Sequence, residues 1–211
     1  MTRIVHVSDT HGYLTALPTD AELVVHSGDF LPNRTFGIWS IETAYQPKWI
    51  DDNIEKIKRW LNDRPLLITH GNHDFIDVAH FLKFHGVDAH CLDDVRYVHD
   101  SYVFHGFPHV PAFSAMWNYE TSNSELTART QAIDLEGVNF LVAHSPFHGV
   151  LDRNQKGQRC GSVPMRQYLQ NNRYVPEYYL CGHIHESHGR QAWSRGMIVY
   201  NSATIQQVID V

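Results

Sequence analysis

Hydrophobic residues along the chain fall into short, nearly unbroken runs that stop abruptly at polar residues. Arg3 to Ser8 (RIVHVS) stops at Asp9, Ala21 to Ser27 (AELVVHS) at Gly28-Asp29, and Pro65 to His70 (PLLITH) at Gly71-Asn72-His73-Asp74. Val138 to Ala143 (VNFLVA) stops at His144, and Glu177 to Cys181 (EYYLC) at Gly182-His183. Such runs, rich in β-branched residues and nearly continuous, predict strands buried on both faces. Between the second and third, Ile41 to Leu61 changes to a helical rhythm, with Trp49, Ile50, Ile54, Ile57, Trp60 and Leu61 separated by Lys and Glu. This predicts one or two helices, ended by Asn62-Asp63-Arg64-Pro65, with Trp39, Trp49 and Trp60 on the core face. Further helices are expected at Phe75 to His85, for which Asp74 could serve as N-cap, and at Gly161 to Gln170. Val87 to Phe107 breaks into short strand-like runs, and Met197 to Val208 into two more. The long irregular stretch from Pro108 to Thr121 is a candidate functional loop, since connections of that length seldom lack a role.

Composition sets the outer bounds. The 211 residues are 43% hydrophobic and 19% charged, which suits a folded globular protein and predicts one domain over residues 1–211 with no room for a cap domain. A net charge of −6 provides no global positive field, so duplex nucleic acid is not an expected partner. No uncharged apolar run approaches the roughly 20 residues of a membrane span, so no membrane partner is expected either. Cys91, Cys160 and Cys181 form no paired framework, and the N-terminus shows no charged region leading into a long apolar stretch. A soluble protein in the reducing cytoplasm is the expectation. The unusual feature is histidine: sixteen are spread along the chain.

Seven polar residues at or just beyond the predicted strand ends can bind a metal: Asp9, His11, Asp29, Asn72, His144, His183 and His185. In an α/β sheet the carboxyl ends of the strands are where ligands bind. Carboxylate, amide and imidazole donors without thiolate suit divalent Mn, Fe, Zn or Co rather than a structural zinc site. Seven donors exceed what one ion needs and suit two divalent ions about 3.5–4 Å apart, bridged by a carboxylate, an arrangement that serves phosphoryl transfer. Gly12, Gly28, Gly71 and Gly182 would relieve backbone crowding beneath such ions.

Read in order, Asp9-Thr10-His11, Gly28-Asp29, Gly71-Asn72-His73-Asp74, His144 and Gly182-His183-Ile184-His185 resemble the five sequence blocks of the calcineurin-like metallophosphoesterases. The resemblance implies a four-layer α/β/β/α sandwich, two mixed sheets with helices outside. It places Asp9, His11, Asp29 and His185 on one ion and Asp29, Asn72, His144 and His183 on a second, with Asp29 bridging. It also implies a hydroxide between the ions as nucleophile, with Mn the favoured ion in vitro, and sets His73 beside the substrate as an acid or phosphate stabiliser. Asp74 is then expected to orient the His73 ring or hold it charged, to cap a helix, or both.

A looser resemblance covers His144 to Asp152, Gly157, Cys160-Gly161-Ser162, Gly182 to Ser187, Gly189 and Asn201-Ser202-Ala203. These resemble the small single-domain branch that includes class III cyclic nucleotide phosphodiesterases and metallophosphoesterase-domain brain proteins, as does Gly106 to Phe113 with Trp117-Asn118. The expected function is therefore hydrolysis of a phosphodiester in a small, even cyclic, nucleotide. A phosphomonoesterase or phosphoprotein phosphatase is the alternative, and a non-catalytic binding module that keeps the metal fold is a second. His109 and His148 lie on loops that this resemblance sets near the substrate. Phe107, Phe113, Trp117 and Tyr119 offer faces for a base or simply pack their own loop. The remaining histidines, among them His6, His26, His70, His90, His99 and His105, read as packed or surface imidazoles. Asn201 reads either as a ligand-orienting residue or as a turn asparagine, and Arg153, Lys156 and Arg159 as a solvated basic loop or a phosphate contact.

Overall fold

A computed structural model describes residues 2–211. The chain runs β1 (Arg3–Val7), β2 (Leu23–His26), α1 (Trp39–Leu61), β3 (Leu66–Ile68), α2 (Val78–Phe84), β4 (Ala89–Cys91), β5 (Arg96–His99) and β6 (Tyr102–Phe107). It continues with β7 (Val110–Pro111), β8 (Glu120–Thr121), α3 (Asn123–Gln131), β9 (Phe140–Ala143), α4 (Val163–Asn171), β10 (Tyr178–Cys181), β11 (Gly189–Ala192), β12 (Ile198–Asn201) and β13 (Gln206–Asp210). One sheet has the order β13-β1-β2-β3-β4 and the other β11-β12-β10-β9-β6-β5. Both are mixed: β13 is antiparallel to β1, and β11 and β5 are antiparallel to their neighbours, while the inner strands run parallel.

Three apolar layers explain why the inner strands lack an alternating pattern. Val5, Val7, Val24, Leu66 and Ile68 face Ile50, Ile57 and Trp60 of α1 and Val78 and Leu82 of α2. Their neighbours Ile4, Leu23, Val25 and Leu67 face the second sheet, against Phe104, Phe140, Val142 and Leu180. On the far side Phe107, Leu141, Ala143, Tyr179 and Val199 pack on Leu126 of α3 and Met165 and Leu169 of α4. The result is helices, sheet, sheet, helices, as the resemblance implies.

The elements differ from the sequence expectation in several places. α1 is a single helix that continues through Pro47 and ends at Asn62, whose left-handed backbone closes it with an N–H to the Lys58 carbonyl. Trp60 and Trp49 pack inward, but Trp39 is 57% exposed and leans edge-on against Phe75, because it begins the helix above the loop that carries Phe75. α2 begins at Val78, not Phe75, and its N-cap is Asp77, which accepts the His80 N–H at 2.9 Å. Asp74 is not a cap; its carboxylate is committed elsewhere. The 108–121 stretch carries two short parallel strands, β7 and β8, and is followed by α3, a helix absent from the sequence reading. No helix among the described residues is long and apolar enough to cross a membrane.

Candidate metal centre

All seven candidate donors lie on turns that leave the carboxyl ends of parallel strands. Asp9 and His11 follow β1, Asp29 follows β2, Asn72 follows β3, His144 follows β9, and His183 and His185 follow β10. The two sheets are joined here. His183 donates its backbone N–H to Asp9 Oδ2 at 2.9 Å, and His144 Nδ1 lies 2.8 Å from the Ser27 carbonyl. That second contact requires the proton on Nδ1, which leaves Nε2 of His144 as the atom free to ligate a metal. Asp9, His11, Asp29 and His183 all have left-handed backbones, with φ of 53°, 43°, 58° and 66°. Each costs on the order of 1–3 kcal/mol, strain of the kind held at functional sites.

Two donor groups form, Asp9 with His11 and His185, and Asp29 with His144 and His183, each with its ligand atoms within 4.8 Å of one another. Asn72 Oδ1 joins the second group at 3.1 Å from His144 Nε2. Asp29 Oδ2 lies 3.3 Å from His144 Nε2 and 3.8 Å from His11 Nε2, so the carboxylate sits between the groups, where a bridging ligand belongs. The approach is too close for side chains at the glycines beneath. A Cβ on Gly71 would overlap the Asp29 carboxylate, and one on Gly182 would overlap Ser8 and Asp9.

The electrostatics call for a cation. Asp9 and Asp29 are 3% and 2% exposed, and among the described residues no Lys or Arg pairs with either. Burial opposes their ionisation, yet His185 and His144 hold Asp9 below the ordinary carboxylate range, and His144, His73 and His11 hold Asp29 well below it. Burial likewise opposes a charge on His144, but Asp29 and Asp9 outweigh it and lift its pKa to about 9. His183 is pushed down to about 4 by burial and by His144. Buried carboxylates balanced only by imidazoles, with no thiolate in the set, are the donors a divalent ion selects.

Around the donors lies a shell of contacts that the sequence did not disclose. His73 Nδ1 is 2.5 Å from Asn33 Oδ1, and the Asn33 amide donates back to the His73 carbonyl at 3.1 Å. The ring is therefore oriented by Asn33, not by Asp74. The Asp74 carboxylate instead accepts backbone N–H groups from Asp29, Leu31 and Gly71 at 2.9 Å and from Phe30 at 3.3 Å, tying the turn after β2 to the turn after β3. Gln46 of α1 binds the His73 carbonyl and the Phe75 N–H, both at 2.7 Å, and Asn118 binds the Asp74 carbonyl at 2.7 Å. Trp117 packs on the His73 ring, 4.0 Å between centroids. The remaining aromatic candidates divide: Phe113 is exposed and 5.9 Å from the His183 ring, whereas Phe107 is core and Tyr119 is held by Asp93 at 3.1 Å.

Other candidates are placed plainly. His109 is buried with its ring between Asp94 (3.4 Å) and Thr121 (3.3 Å), so it presents no free nitrogen to a ligand. His148 lines a pocket shared with His183. Asn201 donates to the carbonyls of Leu151 and Ile184, joining the loops after His144 and His183 from behind. His6 bridges Ser27 and Ser202, and His26 accepts the Gly28 N–H and meets Thr10, so both are structural.

A model of the calcineurin-like phosphoesterases matches residues 2–187, a span that holds all seven donors and His73. The chain belongs to this family. The family uses divalent metals, and the donor groups described above are where this member would hold them. Metallophosphoesterase domain-containing protein 1 is 26% identical over 234 residues in both the human and the mouse protein, covering 97% of this chain and 66% of theirs. The chain thus spans about two thirds of the length of those relatives. A protein of Emericella nidulans named probable rhamnogalacturonate lyase C is 26% identical over 210 residues, which cover 90% of this chain and 18% of that protein.

Proposed function

We propose that the chain hydrolyses phosphodiesters of small nucleotides at a centre of two divalent ions. Asp9, His11, Asp29 and His185 would hold one ion, and Asp29, Asn72, His144 and His183 the other. When bound, the ions supply positive charge for the phosphoryl oxygens and lower the pKa of water to about 7. His73 does the proton work. Asn33 takes the Nδ1–H, so Nε2 is the atom that faces the reaction. Burial lowers the His73 pKa, and an anionic phosphate beside the ring favours its protonated form. The ring then passes the Nε2 proton to the departing alkoxide, a role that contributes about 10²–10⁴ in rate.

The observation that carries the diester reading is that the centre borders two pockets. One, of about 650 Å³, includes His183; the other, of about 360 Å³, includes Asp9 and His11. A monoester has one organic arm to place, a diester two. The test is turnover of bis-p-nitrophenyl phosphate against p-nitrophenyl phosphate by Mn-loaded protein, with Asp29→Ala and His73→Ala. The diester is expected to be preferred and Asp29→Ala to be inactive. His73→Ala should lose far more on a dinucleotide, whose alkoxide needs a proton, than on the nitrophenyl ester. Preference for the monoester, or equal His73→Ala losses on both leaving groups, would sink the reading.

A further inference from the structure

The two pockets beside the centre differ in chemistry. The smaller one offers Ser8, Thr10, Tyr13 and Trp60 beside Asp9 and His11, and no Lys or Arg lines it. The larger has no carboxylate on its wall although the chain carries −6 overall, and it does have Arg159 and His148. Phe113, Val163 and Ile184 make its apolar side.

Arg159 is solvent-exposed, but one end of its side chain is anchored by the fold. Its Nη1 donates to Asp152 Oδ1 at 2.7 Å, and Asp152 is fully buried, its other oxygen accepting the Gly149 N–H at 2.8 Å and the Gly161 N–H at 3.4 Å. This fastens both ends of the loop after His144 and anchors Nη1 of the guanidinium. Nε and Nη2 of Arg159 have no acceptor among the described residues, and its side chain is 35% exposed on the pocket. The His148 ring likewise makes no hydrogen bond among the described residues, while its backbone is held by Ser162 and Arg166. Asp152 engages only Nη1, so a guanidinium with free Nε and Nη2, an unengaged imidazole and a wall without carboxylates are what anionic oxygens select.

We propose that the pocket beside His183 receives the arm of an unsymmetrical phosphodiester that carries its own anionic group, with Arg159 and His148 as the receptor. The smaller pocket takes the uncharged arm. The substrate class is thus a nucleotide esterified to a second phosphorylated nucleoside, not a diester of two neutral alcohols. This rests on the diesterase reading, and two measurements separate their failures.

The first is kcat/KM of the Mn-loaded protein on the dithymidine dinucleotide with and without a terminal 5′-phosphate, using bis-p-nitrophenyl phosphate as the check on diesterase activity itself. Wild type is expected to favour the phosphorylated dinucleotide at least tenfold, mainly through KM, and Arg159→Met and His148→Ala each to shrink that ratio. The second is calorimetric binding of thymidine 3′,5′-bisphosphate, which needs no turnover. Arg159→Met is expected to weaken it about tenfold or more, the loss of a charge-assisted contact. His148→Ala guards against a folding artefact, because the ring it removes makes no hydrogen bond among the described residues. Turnover of bis-p-nitrophenyl phosphate with no preference between the dinucleotides overturns the proposal while leaving the diesterase reading intact. Unchanged bisphosphate affinity in both variants overturns it whatever the turnover.

Discussion

Acid should destabilise this protein through a histidine remote from solvent, and the size of the effect follows from its surroundings. His6 is fully buried between the sheets, with Nε2 2.9 Å from Ser27 Oγ and Nδ1 2.7 Å from Ser202 Oγ. Burial, and to a lesser extent His26, push its pKa down from 6.5 to about 3. The folded state thus holds the neutral ring, and the unfolded state binds more protons at every pH between those values. Stability from this group is complete above about pH 6.5 and is lost as pH falls towards 3. At pH 5 an unfolded histidine is almost wholly protonated and the folded one neutral, which makes the loss about 2 kcal/mol relative to pH 7. The assay is urea unfolding of metal-free wild type and His6→Gln at pH 7 and pH 5. Comparing the two chains cancels the other titrating groups. The stability advantage of wild type over His6→Gln should shrink by about 2 kcal/mol on acidification. An advantage unchanged by pH, to within about 0.5 kcal/mol, would refute the assignment of a neutral, buried His6.

Other consequences are as direct. Metal binding at pH 7 should release protons, because His144, with a pKa of about 9, and His185, raised by its bond to Asp9, must lose them to ligate; calorimetry in buffers of different ionisation enthalpy should show the release, with affinity rising from pH 6 to 9. Gly71→Ala should abolish high-affinity Mn binding while far-ultraviolet circular dichroism stays near wild type, since the added methyl collides with the Asp29 carboxylate. Asp77→Ala, which removes the N-cap of α2, should cost about 1 kcal/mol in urea unfolding and leave metal affinity unchanged.

The candidate donors stand out in the sequence because strands buried on both faces make conspicuous apolar runs, and their ends are fixed by topology. Asp9, Asp29, Asn72, His144 and His183 all stand within a few residues of such an end. What was not legible depends on loops that converge only in space. Asn33 reaches His73 from 40 residues away and Gln46 reaches it from 27, and neither has a local pattern; Asn118 stood in a stretch that resembles the family branch, but its reach to Asp74, 44 residues away, did not show. Asp74 misled because an aspartate before an apolar segment has the look of a cap, while its oxygens satisfy backbone donors of two other turns. α3 was missed for another reason. Only Leu126 and Thr130 are buried on it, too few for a helical rhythm. Its signal was instead Ser122 with Glu125 three residues on; the serine hydroxyl accepts the Glu125 N–H at 3.3 Å. β11 (GRQA) is exposed and hydrophilic, and only its pairing with β12 makes it a strand.

The most direct test of the account is a titration of Mn into metal-free protein, with bound metal and bis-p-nitrophenyl phosphate turnover followed on the same samples. Turnover that rises with occupancy, saturates at two ions per chain and vanishes in Asp29→Ala is the predicted result. Two ions bound per wild-type chain with no hydrolysis of the diester would contradict it.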